Sequence, residues 1–289
     1  MDRRKHIFNL AEAAVNRQLS KYAEENGYKI YVKMRLRDAI DIDGMETSAR
    51  ERGFAWKSHL DFVCVDEEEN LPVLAVEYDG HQHLTDARQR ERDKIKDTLC
   101  RQAELPLLRI DSEYARKEGK WLVLDYILSV HESAKAFHEA QRRGHVPEDE
   151  AFYHGLIIEL DEEGNASLMG LDMPANRFLL GFRDRQQCLW QASWWRARGG
   201  QCEARTLLAL PNGLYLTSYC SLRDFTIEGI GALTISEELA VAELGWKARC
   251  FEEGGPYAIG KDDARQIRSE VEAEGSGWSF GGGWRRGPK

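Results

Sequence analysis

Apolar residues recur along this chain in two rhythms. Phe8, Ala11, Val15, Leu19 and Tyr22 fall at helical spacing within residues 5–24, and Gly27 follows as a stop. Residues 28–36 predict a strand with its charges on one face, while 37–56 is polar and irregular, a loop or short helical excursion. Two apolar, β-branched runs come next, at about 59–65 and 72–79, joined by a turn-like acidic stretch at 67–72. Residues 86–104 predict a helix that buries Ala87, Ile95, Leu99 and Ala103. The short apolar run 105–110 reads as a strand, and 120–143 as a long amphipathic helix. This helix–strand–strand–strand–helix–strand order predicts an α/β unit over residues 1–145, a usual domain size.

The rhythm changes beyond the charged, Gly- and Pro-containing stretch 142–150. Residues 155–160 and 166–171 flank Asp-Glu-Glu-Gly-Asn, a hairpin signal. Further strands are expected at 177–183, 187–196, 203–210 and 214–219. Ser236 is expected to cap a helix that runs to about Phe251, and a polar helix is expected from Asp262 to Glu274. The reading is thus a β-rich α+β accessory domain of unknown role over 151–274 and a flexible Gly-rich tail over 275–289. Trp190 and Trp194 share one face under period two with Trp195 opposite, and a core role outweighs a base-stacking one for them.

Chemistry concentrates in the two apolar runs. Asp61 interrupts the first, and Glu77 and Asp79 interrupt the second two residues apart, on one side of a strand. Burying carboxylates on neighbouring strands is costly unless a cation compensates them, and a hard divalent ion suits an oxygen-rich site. The pattern points to metal-dependent hydrolysis. His83 is a candidate general acid or base, since a histidine titrates near neutral pH. Arg88, Arg92 and Lys96 recur at i, i+4 and could form a phosphate-facing stripe, although Glu91, Asp93 and Asp97 are interleaved and also suit a solvated, ion-paired face.

Four elements carry a resemblance: Lys57-Ser-His-Leu-Asp61-Phe62, Glu77-Tyr-Asp79-Gly80-His-Gln-His83, Arg92-Asp93-Lys-Ile-Lys96-Asp97 and Leu105-Pro-Leu-Leu-Arg109. In this order, over roughly residues 5–112, they resemble the PD-(D/E)XK nuclease superfamily near the very-short-patch-repair endonuclease branch and its bacterial relatives. The resemblance implies a restriction-endonuclease-like mixed sheet flanked by helices. It also implies a Mg²⁺-dependent endonuclease, with Mn²⁺ as a substitute, that cleaves DNA in bacterial repair, restriction or defence, RNA not being excluded. Asp61 and Glu77 would be the metal ligands, Asp61, Glu77, Asp79, His83 and Lys96 the catalytic set, and Arg88, Arg92 and Arg109 the nucleic-acid contacts. Glu12 stands where the superfamily often carries a helical acid near the metal.

The sequence departs from the pattern at Asp79, where the superfamily has a lysine that orients the attacking water. Lys57, Lys94 or Lys96 could replace it from a neighbouring element, or His83 could take the role. A catalytically inactive nucleic-acid-binding or assembly module on the same fold is the alternative, and a phosphohydrolase of nucleotides a weaker one.

Composition narrows little. A formal net charge of −9 is the wrong sign for a protein that coats DNA, though local Arg and Lys can still face phosphates. The six cysteines form no CxxC pair and no zinc spacing. No leader-like or membrane-length apolar run is present, so a cytoplasmic, soluble protein is expected, with a homodimer or larger defence complex forming through the C-terminal domain.

Overall fold

The computed structural model describes residues 9–78, 87–111, 114, 117–118, 121–154, 158–160, 166–168 and 170–286. Asp79 and His83 lie outside the described residues. The protein is a mixed α/β chain with two four-stranded sheets, one in each of two compact units. The first unit takes the chain up to Lys117 together with Leu122–Glu132 and Phe225–Glu228, and the second takes the remainder.

In the first unit, helix α1 (Leu10–Asn26) starts on a capping box. The Asn9 side chain accepts from the Glu12 N–H, and the Glu12 carboxylate accepts from the Asn9 N–H. Gly27 ends the helix at φ +73°, a left-handed cap for which glycine carries no Cβ penalty. Strand β1 (Tyr28–Arg35) leads into two helices within the stretch that reads as irregular, α2 (Leu36–Ala39) and α3 (Ala49–Lys57). Ser48 and Glu51 cap α3 reciprocally, a local signal hidden by the segment's polarity.

Strands β2 (His59–Asp66) and β3 (Pro72–Tyr78) pair antiparallel, with Phe62 opposite Val76, and β2 also pairs antiparallel with β1. The turn between β2 and β3 is set by the Asp66 carboxylate, which accepts from the Glu68 and Glu69 N–H groups. Helix α4 (Ala87–Gln102) then carries the chain across to β4 (Leu107–Ile110), which lies parallel to β3. The sheet order is β1-β2-β3-β4.

One face of the sheet buries Val63 and Ala75, in a core cluster with Leu99 and Cys100 of α4, Leu36 of α2 and Ala55 of α3. On the other side, α1 runs along β1, and the Tyr22 hydroxyl donates to Glu132 on the long helix α5 (Val123–Arg142). Covering on both faces explains why β2 and β3 read as near-continuous apolar runs. Full burial of a side chain such as Phe62 contributes about 1.5–3 kcal/mol relative to exposure. Two-residue strands β5 (Lys117–Glu118) and β6 (Trp121–Leu122) precede α5. The returning segment Phe225–Glu228 sets Phe225 edge-on against Tyr114 in this unit.

The second unit, which takes α5 from Ser133 onward, contains the hairpin β7 (Ile158–Leu160) and β8 (Ala166–Leu168), as its turn signal predicts. Residues 177–183, expected to be a strand, belong instead to helix α6 (Met173–Arg185), which starts on Pro174. Proline in the first turn has no N–H to waste there, and it is the signal that overrides the short apolar run.

Strands β9 (Trp190–Arg198), β10 (Gln201–Ala209) and β11 (Tyr215–Arg223) form an antiparallel meander. After β12 (Thr226–Ile227) and β13 (Ile230–Gly231), helix α7 (Ala232–Glu252) packs with α6 on one face of the sheet. Helix α8 (Lys261–Glu272) packs Ala264 and Val271 against Ala192, Trp194 and Leu207 on the other. Trp194 is thereby a core residue, in line with the reading of the tryptophans. Gly231, not Ser236, caps α7; Ser236 lies one turn inside and returns its hydroxyl to the Leu233 carbonyl.

The expected flexible tail is corrected as well. Ser279–Arg285 forms β14, an edge strand antiparallel to β9, giving the order β11-β10-β9-β14. Its glycines serve packing: a Cβ on Gly281 would fall inside the Trp195 ring. Among the described residues, no helix is long and apolar enough to cross a membrane.

Candidate active site

The pairing of β2 with β3 places Asp61 beside Glu77 at the end of both strands. Their connection is direct: the Asp61 N–H donates to Glu77 Oε1 (3.3 Å), and the Tyr78 N–H donates to Asp61 Oδ2 (3.0 Å). Each carboxylate then meets a lysine. Lys96 reaches down from α4 and donates to Glu77 Oε2 (2.7 Å) and to the His59 carbonyl (2.8 Å). Lys33 on β1 donates to Asp61 Oδ1 (2.6 Å) and to Glu12 Oε1 (3.0 Å). The capping box holds the other Glu12 oxygen, which fixes this acid's orientation from the helix start.

Behind Glu77 sits a second layer of charge. Arg109 of β4 is 3 % exposed and binds Asp97 through Nε (2.9 Å) and Nη2 (2.8 Å), with Asp93 and Glu77 each 3.7 Å from Nη1. The parallel register that sets Arg109 opposite Glu77 makes this possible. In this set of ion pairs, five carboxylates face three cationic side chains.

Burial pushes the Glu77 carboxyl above its usual range, and Asp61 adds to the rise while Lys96 and Arg109 oppose it. Burial alone would pull the Lys33 ammonium down, but its hydrogen bonds to Asp61 and Glu12 outweigh that and hold it above the usual lysine range. Lys33 also stands at φ +52°, a left-handed backbone that costs a non-glycine residue of order 1 kcal/mol or more. Its strain coincides with its position between two acids. Cys100, nearby on α4, is pushed up to about 12 by burial and stays a thiol.

Of the residues chosen from sequence, Asp61, Glu77 and Lys96 meet in one site, and Glu12 joins them through Lys33. Arg109, which at a strand end could face a phosphate or pair with an acid, pairs with acids: carboxylates of Asp97, Asp93 and Glu77 surround it. Arg88 and Arg92 are exposed on α4, Arg92 with its guanidinium 6.0 Å from the Phe54 ring centre. Lys57 and Lys94 are exposed, and neither enters this set of ion pairs. Lys33 escaped notice because only the β1–β2 register sets it against Asp61, across α2 and α3.

The donor set fits a hard divalent ion. Asp61 and Glu77 offer adjacent carboxylate oxygens, and Mg²⁺ needs only one or two protein carboxylates because it keeps several waters.

A second buried acidic group lies in the other unit. Glu238 of α7 lies with Oε1 2.6 Å from His154 Nε2, and Oε2 accepts from the Leu171 N–H (3.0 Å). Around it, burial first and Glu238 next push Asp172 up to about 6, while burial and then Asp172 push Glu237 up to about 7.

No curated protein and no solved structure matches the chain. Residues 4–122, a span that holds every member of the Asp61–Glu77 cluster, are similar to a protein family of unknown function, DUF2726.

Proposed function

We propose that the first unit is a metal-dependent phosphodiesterase that cuts DNA, an endonuclease on a restriction-endonuclease-like fold. One observation carries this reading: a buried lysine from α4 stands 2.7 Å from Glu77, beside Asp61 on the neighbouring strand. The PD-(D/E)XK resemblance lacks its usual lysine at Asp79, and Lys96 is one of the residues able to replace it. The order of α1, three antiparallel strands, α4 and a strand parallel to the third supports the same fold family.

Asp61 and Glu77 would hold the ion. When bound, Mg²⁺ supplies a hydroxide at neutral pH and neutralises charge on the phosphate. The protein's own groups orient the reaction. Lys96 spends two of its three donors on Glu77 and the His59 carbonyl, leaving one N–H for the attacking water or a phosphate oxygen. Lys33, likewise spending two, is placed to bind a second phosphate oxygen. Arg109 holds Glu77 against the sheet, so the carboxylate does not swing when charge develops.

The test is supercoiled plasmid incubated with the protein in Mg²⁺, Mn²⁺ or EDTA, beside Glu77→Gln. Metal-dependent nicking that disappears in Glu77→Gln is expected. One observation favours the inactive binding module: Asp61 and Glu77 each already hold a lysine and a backbone N–H. Intact DNA with both metals would select that module.

A further inference from the structure

The second unit contains a slot that the core packing of its tryptophans does not use up. On the α8 side of the sheet, β9 and β14 set three residue pairs opposite one another: Trp190 with Arg285, Ala192 with Gly283, and Trp194 with Phe280. The middle pair is small and the outer pairs are large, so a cavity of about 310 Å³ opens over Ala192 and Gly283. A Cβ on Gly283 would come within 3.1 Å of the Phe280 ring, so the bare backbone there keeps the slot clear.

Its walls are aromatic and its rim is cationic. Phe280 is 63 % exposed and meets Trp194 edge-on, ring centres 6.2 Å apart. Arg268 of α8 lies 5.5 Å from the Trp190 ring centre, and Arg285 is exposed at the strand end. The one carboxylate in the lining, Glu272, is already taken by Arg268 (2.9 Å). In a chain with a net charge of −9, this lining carries a net positive charge. Trp190 and Trp194 are four residues apart, about 13 Å at strand rise. A flat ring seated over Ala192 would therefore lie about 6.5 Å from each, within the range of aromatic contacts.

We infer that this slot binds a base of single-stranded DNA, stacked beside Phe280 and Trp190, with the adjoining phosphate on Arg285. Aromatic walls and a basic rim are what sequence-tolerant single-strand binding requires, since every base has a π-face and every linkage a negative charge. The choice of DNA rests on the phosphodiesterase reading of the first unit; the slot itself does not depend on it.

The experiment titrates the full chain, in EDTA to prevent cleavage, into fluorescein-labelled oligo(dT) and follows anisotropy. Phe280→Ala and Arg285→Ala are both surface changes, and their melting curves should overlay the wild type. Phe280→Ala should weaken binding about tenfold, the effect of losing one stacked base. Arg285→Ala should lower the salt slope by about 0.7, the share of one phosphate on a single strand. Wild-type affinity in both variants would overturn the slot, as would failure of the wild type to bind oligo(dT). Tighter binding of oligo(rU) would overturn the assignment to DNA. Plasmid cleavage, read separately through Glu77→Gln, distinguishes a failed slot from a failed active site.

Discussion

Both units bury acidic side chains, but they neutralise them differently. In the first, Asp61, Glu77, Asp93 and Asp97 are met by ammonium and guanidinium groups, and Lys33, Lys96 and Arg109 form a ring of charge. In the second, Asp172, Glu237 and Glu238 are met by a histidine, a side-chain amide and backbone N–H groups, and burial lifts Asp172 to about 6 and Glu237 to about 7. The difference teaches how to read a buried carboxylate. Glu77 shows the first case: burial lifts it, and Lys96 and Arg109 pull it back. Asp172 and Glu237 show the second: burial lifts them with no lysine or arginine to oppose it.

The sharpest break of that comparison is Lys96→Met, which keeps the stem and removes the charge. A group that orients the attacking water should lower the cleavage rate by about 10²–10⁴ when lost, with Mn²⁺ affinity changed far less. An unaltered single-turnover rate would reduce Lys96 to a structural partner of Glu77.

Next in size is Glu77→Ala. Deleting it leaves Lys96 and Arg109 buried with a missing partner, and about 3–5 kcal/mol of stability in the first unit should go with it. Denaturant titration measures this, and a loss under 1 kcal/mol would mean that the site is wetter than its burial indicates.

Glu238→Ala should cost the second unit about 1–3 kcal/mol, because the Leu171 N–H loses its acceptor, while leaving DNA cleavage intact. Cleavage lost at native stability would give the second acidic group a chemical role and erase the contrast.

The smallest effect is one of pH. Asp172 and Glu237 have folded-state values of about 6 and about 7, above the roughly 4 of an unfolded carboxyl. Between about pH 4 and 7 the folded unit therefore holds more protons than the unfolded chain, so its stability falls as pH rises. The melting transition of the second unit should come a few degrees lower at pH 8 than at pH 5. Glu237→Gln should flatten that slope; a transition that rises with pH would contradict the assignment.

Much of this was legible in the sequence. Carboxylates inside apolar runs announced a site, because only compensated charge survives in a strand covered on both faces. Lys96 was legible as a candidate to reach in from the neighbouring helix, and it is the lysine that meets Glu77. Lys33 was not visible, since its meeting with Asp61 depends on pairing two strands separated by α2 and α3. Arg109 was ambiguous: a strand-end arginine suits a phosphate or an acid, and only the parallel register opposite Glu77 and the reach to Asp97 of α4 decide its partners. In the second unit, periodicity failed at α6, where Phe178, Leu179, Leu180 and Phe182 suit either a strand or a helix, and Pro174 held the decisive signal. The Gly-rich C-terminal stretch looked unstructured because its order comes from the Trp195 ring on a neighbouring strand, not from its own residues.

The most direct test of the central claim is Mn²⁺ binding, followed by calorimetry, in the wild type and in Asp61→Asn, without DNA. The account predicts a single site in the wild type that is lost or weakened at least about tenfold in Asp61→Asn, since hard cations follow carboxylate charge. Equal binding in the two proteins, or none in either, would contradict it and leave the Asp61–Glu77 pair as a charge cluster closed by its own lysines.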